Sequence, residues 1–514
     1  MRPLPDLETF LSLCKPGRAV PVRVEVDADT ETPVSAFLKL SRGKKQAFLL
    51  ESVEGGERSA RFSFLGAGPR GALRWKLGDR GDPIAAVRAM LATHRAVRIP
   101  GIPRFSGGLV GHVSYDAVQL FEPRVPIAKA DELGFPDVLL MDFDEVVAFD
   151  NLRHSMHVIA EVRCHKGDDP RALYERAVAR IRARLRLLAR PLRDDRPRRS
   201  ARATIVPRVE RRAFEAAVRK AKAYITAGDC QQIVVSQRFD AETDLAPFEI
   251  YRALRRVNPS PYLFFVKDGE RALVGSSPET LVKLEAGEVT LRPIAGTRKR
   301  GKDAAEDARL EAELRADPKE NAEHVMLVDL GRNDVGRVSA VGTVRLTALR
   351  TVERYSHVMH LVSEVRGKLA PGLGAVDVLR AGFPAGTVTG SPKVRAMEII
   401  DALEPARRGP YAGAVGYFDR GGDMEMCIAI RTLMASGRRV SAQAGAGIVY
   451  DSKPAAEYQE TVNKARAIFT AVAQAEARVL DAPPKVVAER TRGAGRRAAG
   501  GTRPRGKRAA GGTR

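Results

Sequence analysis

The chain has 514 residues, 44% of them hydrophobic, enough for a large core and two or three domains, and it has no apolar run long enough to span a bilayer. Its net charge of +23 invites a nucleic-acid reading. However, residues 485–514 hold ten Lys or Arg and one acid, so +9 of that charge belongs to one tail. Asp6 and Glu8 stand where a signal peptide has its apolar core. The four cysteines (Cys14, Cys164, Cys230, Cys427) are widely spaced with no C-x-x-C. That pattern fits a reducing cytoplasm and argues against zinc or a disulfide framework.

Before residue 165, short β-like runs alternate with turns: 20–24, 46–50, 72–76, 138–143 and 157–160. Residues 172–188 have apolar positions at helical spacing and run into an Arg-rich stretch with Pro191 and Pro197. That stretch, 182–208, is expected to be a basic linker between an N-terminal region, 10–181, and a second domain, 209–478. An amphipathic helix is predicted over 210–227, stopped by Gly228. Strands are predicted over 232–236, 262–266, 272–275, 281–284, 290–293 and 342–346, and helices over 303–316, 318–331, 392–404 and 454–476. Runs of strands punctuated by helices, without regular βαβ alternation, indicate an α+β fold with large antiparallel sheets. The tail, 479–514, is Gly- and Ala-rich, lacks aromatics and repeats 497–503 at 508–514. It is expected to be disordered. Its charge allows contact with nucleic acid through phosphates alone, or has no selected role.

Two of the predicted helices carry acids one turn apart. One begins Asp317-Pro318-Lys319-Glu320-Asn321-Ala322-Glu323-His324, and the other contains Glu457, Glu460 and Lys464. A helix turns ~100° per residue, so Glu320 and Glu323 share a face, as do Glu457, Glu460 and Lys464. Apolar residues follow in each: Met326, Leu327 and Leu330; Ala465, Ile468 and Phe469. Each pair taken alone reads as a solvated face. If the two helices face each other, four carboxylates repel, and a hard divalent cation such as Mg2+ resolves the repulsion.

Residues 382–393 (GFPAGTVTGSPK) form a Gly-rich loop entering a helix, with Ser391 placed to cap it and Pro392 in its first turn. Such a loop either aims backbone N–H groups at an anion or is a plain tight turn. No Gly-Lys-Ser/Thr ending follows, so it is not a P-loop. Gln443-Ala444-Gly445-Ala446-Gly447 is expected to follow a strand and let a ligand approach the backbone. Arg431 ends the strand-like run 427–431, either ion-paired or as a carboxylate clamp. Tyr411 lies in a turn. His324 and His360 can exchange protons near neutral pH; each taken alone reads as a hydrogen-bonded structural histidine.

Together, these stretches resemble the chorismate-utilising enzymes, most closely the anthranilate synthase component I family. The matching motifs are PIAGTR at 293–298, ENAEHVMLVDLGRND at 320–334, 355–361, 383–400, GAVGY at 413–417 and 443–465. The resemblance reaches residue 476. It implies two large antiparallel sheets packed at a steep angle, with helices outside and the active site in a cleft. The implied reaction takes chorismate and ammonia to anthranilate and pyruvate through an aminodeoxyisochorismate intermediate, the first step of tryptophan biosynthesis. Glu323 and Glu460 would bind Mg2+, supported by Glu320 and Glu457. Lys464, Arg431, Tyr411, Thr387, Gly386, Gly445 and Gly447 would bind substrate. Glu279 would protonate the departing hydroxyl, and His360 would move a proton in pyruvate elimination.

The resemblance also separates siblings. Water-using relatives carry a Lys base where this chain has Gln232, and aminodeoxychorismate synthases commonly carry a nucleophilic Lys where it has Ala295. Both positions imply ammonia and an ortho-aminated product. Residues 49–57 (LLESVEGGE) resemble the family's tryptophan feedback motif, and 258–262 (NPSPY) its partner segment. Glu51 and Ser52 would hold the amino group of tryptophan as inhibitor, and Pro261 and Tyr262 the indole. No Gly-x-Cys-x-Gly motif surrounds a cysteine, so a separate glutamine amidotransferase subunit is implied, in a heterotetramer.

Overall fold

The computed structural model describes residues 2–52, 61–127, 129–192, 203–354 and 358–480. Residues 53–57 of the feedback motif, 355–357, part of the basic linker and the tail from 481 lie outside the described residues. Within them the strands form two large sheets, one of thirteen strands and one of ten. All strand pairings are antiparallel except a short parallel one between Arg18–Asp27 and Arg95–Ala96. The expected α+β class therefore holds.

The sequence regions on either side of the basic stretch contribute strands to both sheets. Gln46–Glu51 pairs with Tyr262–Asp268, Glu51 opposite Leu263. In the other sheet Gly108–Val113 pairs with Ala414–Asp419. Residues up to Leu480 make one compact unit. The sheets face each other through a buried cluster drawn from both, including Phe48, Phe264 and Met434 from the larger and Met141, Val415 and Cys427 from the smaller. Helices cover the outer faces.

Two helices matter most for the site. Pro318–Gly336 starts at Asp317, whose side chain accepts from the amides of Lys319 at 3.0 Å and Glu320 at 3.2 Å. Pro318 costs that first turn nothing, because its missing N–H has no partner there anyway. Its buried face is His324, Leu327, Val328, Gly331 and Val335, while Met326 and Leu330 are only half-buried. Pro454–Leu480 buries Ala465, Ile468, Phe469, Val472 and Ala475, a helical stripe. Burial of Ile468 and Phe469 stabilises by roughly 1.5–3 kcal/mol each.

Several expectations are corrected. Cys14 and Cys164 form a disulfide, with Cα atoms 5.8 Å apart, against the reading of four unpaired thiols. Strand pairing explains it: the Cys164 amide donates to the Arg18 carbonyl, placing the end of one strand beside the C-cap of the Leu7–Leu13 helix. Ser391 caps nothing. It lies in a short strand opposite Gln232, and Pro392 holds the N-cap position of Lys393–Leu403. The predicted 342–346 strand begins only at Arg345 and continues to Arg354. Gly445 and Gly447 lie within the strand Arg439–Ile448 rather than after it. Arg431 lies beyond the strand Met424–Ile428, with a left-handed φ of 50°.

Candidate active site

A cavity of about 310 Å3 opens where the two acidic helices meet the larger sheet and one end of the smaller. Its floor is the pairing of Gln232–Glu242 with Arg439–Ile448, where Val234 opposes Gly447 and Ser236 opposes Gly445. These glycines make room for side chains. A Cβ at Gly445 would lie 2.8 Å from the Tyr411 hydroxyl oxygen, and one at Gly447 would lie 2.6 Å from Gln232 Nε2. Such contacts are closer than atoms tolerate.

One wall carries an acid. Glu279 lies just beyond the strand Arg271–Ser277, and Thr387 Oγ1 donates to its Oε1 at 2.8 Å. Enclosure by the cavity walls pushes the Glu279 carboxyl up to about 7, although the Thr387 hydrogen bond opposes the shift. Glu279 is thus partly protonated near neutral pH, as a general acid must be.

A cation lines the same cavity. Arg431 lines the cavity, and among the described residues it makes no ion pair. Burial lowers its pKa, so an anion arriving there meets an already desolvated guanidinium. Tyr411 is 4% exposed, and burial raises its hydroxyl to about 12, so it remains a neutral hydrogen-bonding group. Lys464 Nζ contacts Glu460 Oε1 at 2.7 Å and the Gly445 carbonyl at 2.9 Å.

His360 enters from the strand Val358–Lys368, opposite Thr297. The neighbouring strand bulges between Ala295 and Thr297, with Gly296 at φ 65°. That bulge turns the Gly296 carbonyl to within 2.9 Å of His360 Nδ1. The carbonyl can only accept, so the proton sits on Nδ1. Burial lowers the pKa of the ring, which is neutral at pH 7. His324, by contrast, is fully buried and bonded to Ser363 Oγ at 2.6 Å, a structural histidine.

Glu323 and Glu460 both line the cavity, from the two helices. Gln232 Nε2 donates to Glu323 Oε1 at 3.3 Å. Burial raises the Glu323 pKa, with the negative charges of Glu320 and Glu460 adding to it. Burial raises Glu457 likewise, and Glu460 again adds. Glu320 turns to Arg298 at 3.1 Å. Among the described residues no three His, Cys, Asp or Glu side chains are grouped to hold a metal unaided. The two facing carboxylates still fit a hard cation: all donors are oxygen, and their mutual repulsion is what a divalent ion relieves.

Most of the sequence-predicted site residues therefore meet here. Glu320, Glu457 and Gly386 do not line the cavity. Gly386 packs on Leu330, whose Cδ2 would lie 1.9 Å from a Cβ at that position. Sequence reasoning assigned no role to Gln443, Thr297 or Ile430, which line it as well. The first two stand inside quoted motifs, the only signal they gave.

A second cavity, about 70 Å3, lies between the sheets and includes Glu51, Ser52, Tyr262, Phe64, Tyr417 and Glu425. Pro261 does not line it. Glu51 is 5% exposed and already bound by Arg255 Nη2 at 2.7 Å and by the Tyr251 hydroxyl. The Tyr262 hydroxyl contacts Thr280 Oγ1 at 2.7 Å.

The family model for chorismate binding enzymes matches residues 45–470. Anthranilate synthase component 1 of Pseudomonas putida is 47% identical over 495 residues, covering 91% of this chain and 98% of that protein. The Thermus thermophilus protein of the same name is 47% identical, covering 90% and 99%. The crystal structure of anthranilate synthase component I from Streptococcus pneumoniae is similar at a TM-score of 0.73 and 37% identity, covering 86% of this chain and 98% of that one. The menaquinone-specific isochorismate synthase of Escherichia coli, at 21% identity and a TM-score of 0.68, shares the fold.

Proposed function

The chain belongs to the chorismate-binding enzymes, in their anthranilate synthase component 1 group, and from that premise we propose that it converts chorismate and ammonia to anthranilate and pyruvate, opening tryptophan biosynthesis. The observation that carries this reading is that one cavity is lined both by Glu279, at about 7, and by the guanidinium of Arg431, which makes no ion pair among the described residues. A dicarboxylate substrate needs the cation, and a departing hydroxyl needs the acid.

Arg431, Tyr411 and Lys464 bind the substrate carboxylates. Glu279, held by Thr387, donates its proton to the leaving hydroxyl while ammonia adds ortho to the ring carboxylate. The product of this step is the aminodeoxyisochorismate intermediate. His360, neutral and protonated on Nδ1, takes up a proton as pyruvate leaves. Gln232 is an amide and cannot deprotonate water, and Ala295 cannot act as a nucleophile. Both favour ammonia over the sibling reactions. Glu323 and Glu460 would hold Mg2+, which supplies positive charge for the ring carboxylate.

Ammonia comes from a separate amidotransferase subunit. Cys230 and Cys427 are buried, and burial raises both thiols, Cys230 to about 11, which does not suit a nucleophile. A groove of about 870 Å3 on the far side of the Pro318–Gly336 helix supports such a partner. Val325 and Leu349 in it are 54% and 49% exposed, an apolar surface of the kind partners cover. Its helix presents Glu323 and Leu327 to the cavity from the opposite face. Tryptophan occupies the smaller cavity and inhibits. No described helix is long and apolar enough to cross a membrane.

The test is anthranilate fluorescence from purified protein with chorismate, ammonium and Mg2+. Chorismate-dependent fluorescence is expected. Isochorismate, the para-amino isomer or no product would overturn the reading.

A further inference from the structure

Arg408 lies outside the cavity lining and is 1% exposed at its side chain. Its Nε donates to Glu404 Oε2 at 2.9 Å, and its Nη2 donates to Glu404 Oε1 at 2.6 Å. Two further bonds leave this ion pair for cavity-lining backbone: Nη1 to the Val388 carbonyl at 2.7 Å and Nη2 to the Val234 carbonyl at 2.8 Å. The guanidinium also lies 5.7 Å from the ring centroid of Tyr411 and 4.7 Å from that of Tyr115. Glu404 Oε1 accepts in addition from the Ser236 amide and hydroxyl, each at 2.8 Å. The Ser236 hydroxyl in turn accepts from Gln443 Nε2 at 2.8 Å.

A buried ion pair is a poor way to gain stability, because desolvation offsets its attraction, and apolar residues of like volume often do as well. Its value lies in direction. Several ties of this pair lead to residues that line the cavity. Val388 follows Thr387, the residue that holds Glu279. Val234 stands opposite Gly447. Tyr411 and Gln443 line the cavity themselves. A guanidinium fork can hold one carboxylate and two carbonyls in a plane, and an ammonium cannot.

We propose that Arg408 and Glu404 are positioning residues for the reaction, a buried pair that fixes Thr387, and through it Glu279, relative to Tyr411 and the glycine strand. This rests on the reading of the cavity as a chorismate-aminating site. The pair touches no substrate and acts through the groups it aims.

The experiment compares wild type, Arg408→Lys and Glu404→Gln, with ammonium as the nitrogen source and rates normalised to folded protein by circular dichroism. Expected is a fall in kcat of about 10- to 100-fold with KM for chorismate changed less, as a misplaced acid produces. The alkaline limb of the rate profile should also move to lower pH by about half a unit or more, because a looser wall lets water reach Glu279. Glu404→Gln keeps the shape of the carboxylate and serves where Arg408→Lys does not fold. A variant with kcat per folded molecule and pH limb as in wild type, but a lower Tm, would make the pair merely structural and overturn the proposal. Wild type that forms no anthranilate would instead overturn the aminating reading, and this proposal with it.

Discussion

At the scale of single residues, the proposed chemistry turns on carboxylates held away from their ordinary state. If Glu279 is the general acid it must carry a proton to act, and its pKa is raised to about 7. Activity is therefore expected to fall as pH rises through about 7, and Glu279→Gln to lower kcat by about 10²- to 10⁴-fold. Stability should fall with rising pH as well, whereas the variant should gain it. A carboxyl whose folded pKa lies above its unfolded value holds its proton more tightly when folded. The folded state thus loses stability between the ordinary carboxylate range and about 7. Glu279→Gln removes that cost, so its Tm at pH 8 should equal or exceed that of wild type. Calorimetry with a pH–rate profile on both forms checks the pair of outcomes; a variant both less stable and fully active would contradict them. Glu323 and Glu460 answer a different question. If they hold Mg2+, either one changed to Gln should abolish activity without unfolding, and excess EDTA should silence the wild type. Full activity in EDTA would remove the metal from the scheme.

At the scale of elements, the Pro318–Gly336 helix has two working faces. Glu323 and Leu327 look into the cavity, while Val325, Met326, Leu330 and Asn333 line the outer groove. The half-buried state of Met326 and Leu330, read from the sequence as core anchors, follows from that division. A charge placed on the outer face should disturb docking and spare chemistry. Val325→Asp is expected to retain ammonium-dependent activity and to lose at least about tenfold in glutamine-dependent activity when assayed with the amidotransferase subunit, the scale of a lost interface anchor. Equal loss with both nitrogen sources would place the damage in the cavity instead.

At the scale of the whole molecule, the sheets join parts of the chain that are far apart in sequence. Gln46–Glu51 lies against Tyr262–Asp268, so the smaller cavity is bounded by both. Tyr262 in that cavity contacts Thr280, the residue after Glu279. A ligand that shifts Tyr262 thus pulls on the segment carrying the acid, a physical route for inhibition. Tryptophan should inhibit wild type. Ser52→Phe should fill the cavity and relieve inhibition while leaving the uninhibited rate intact. Titration calorimetry and assays on both forms decide, and absence of tryptophan binding to wild type would withdraw the regulatory role.

The sequence by itself determined the elements whose signals are local. The Pro318 and Pro454 helices were readable because caps and apolar stripes repeat every three to four residues. The facing carboxylates, Thr387 and Glu279 were placed by motif, and they meet in one cavity. Glycine spacing at 445 and 447 was readable too, but the glycines were expected after a strand and lie within it. Periodicity cannot place a strand's end when every residue is small. What only the tertiary structure decided depends on partners distant in the chain. Cys14 reaches Cys164, 150 positions along the chain, because strand register brings that residue back to the start. Glu320, expected to support the metal ligands, pairs with Arg298 at 3.1 Å, a partner that no local propensity announces. Arg408, one of 86 Lys and Arg residues, reads as an ordinary surface charge. Only folding buries it among Glu404, Val234 and Val388, because long-range pairing, not local sequence, determines which charges lose water.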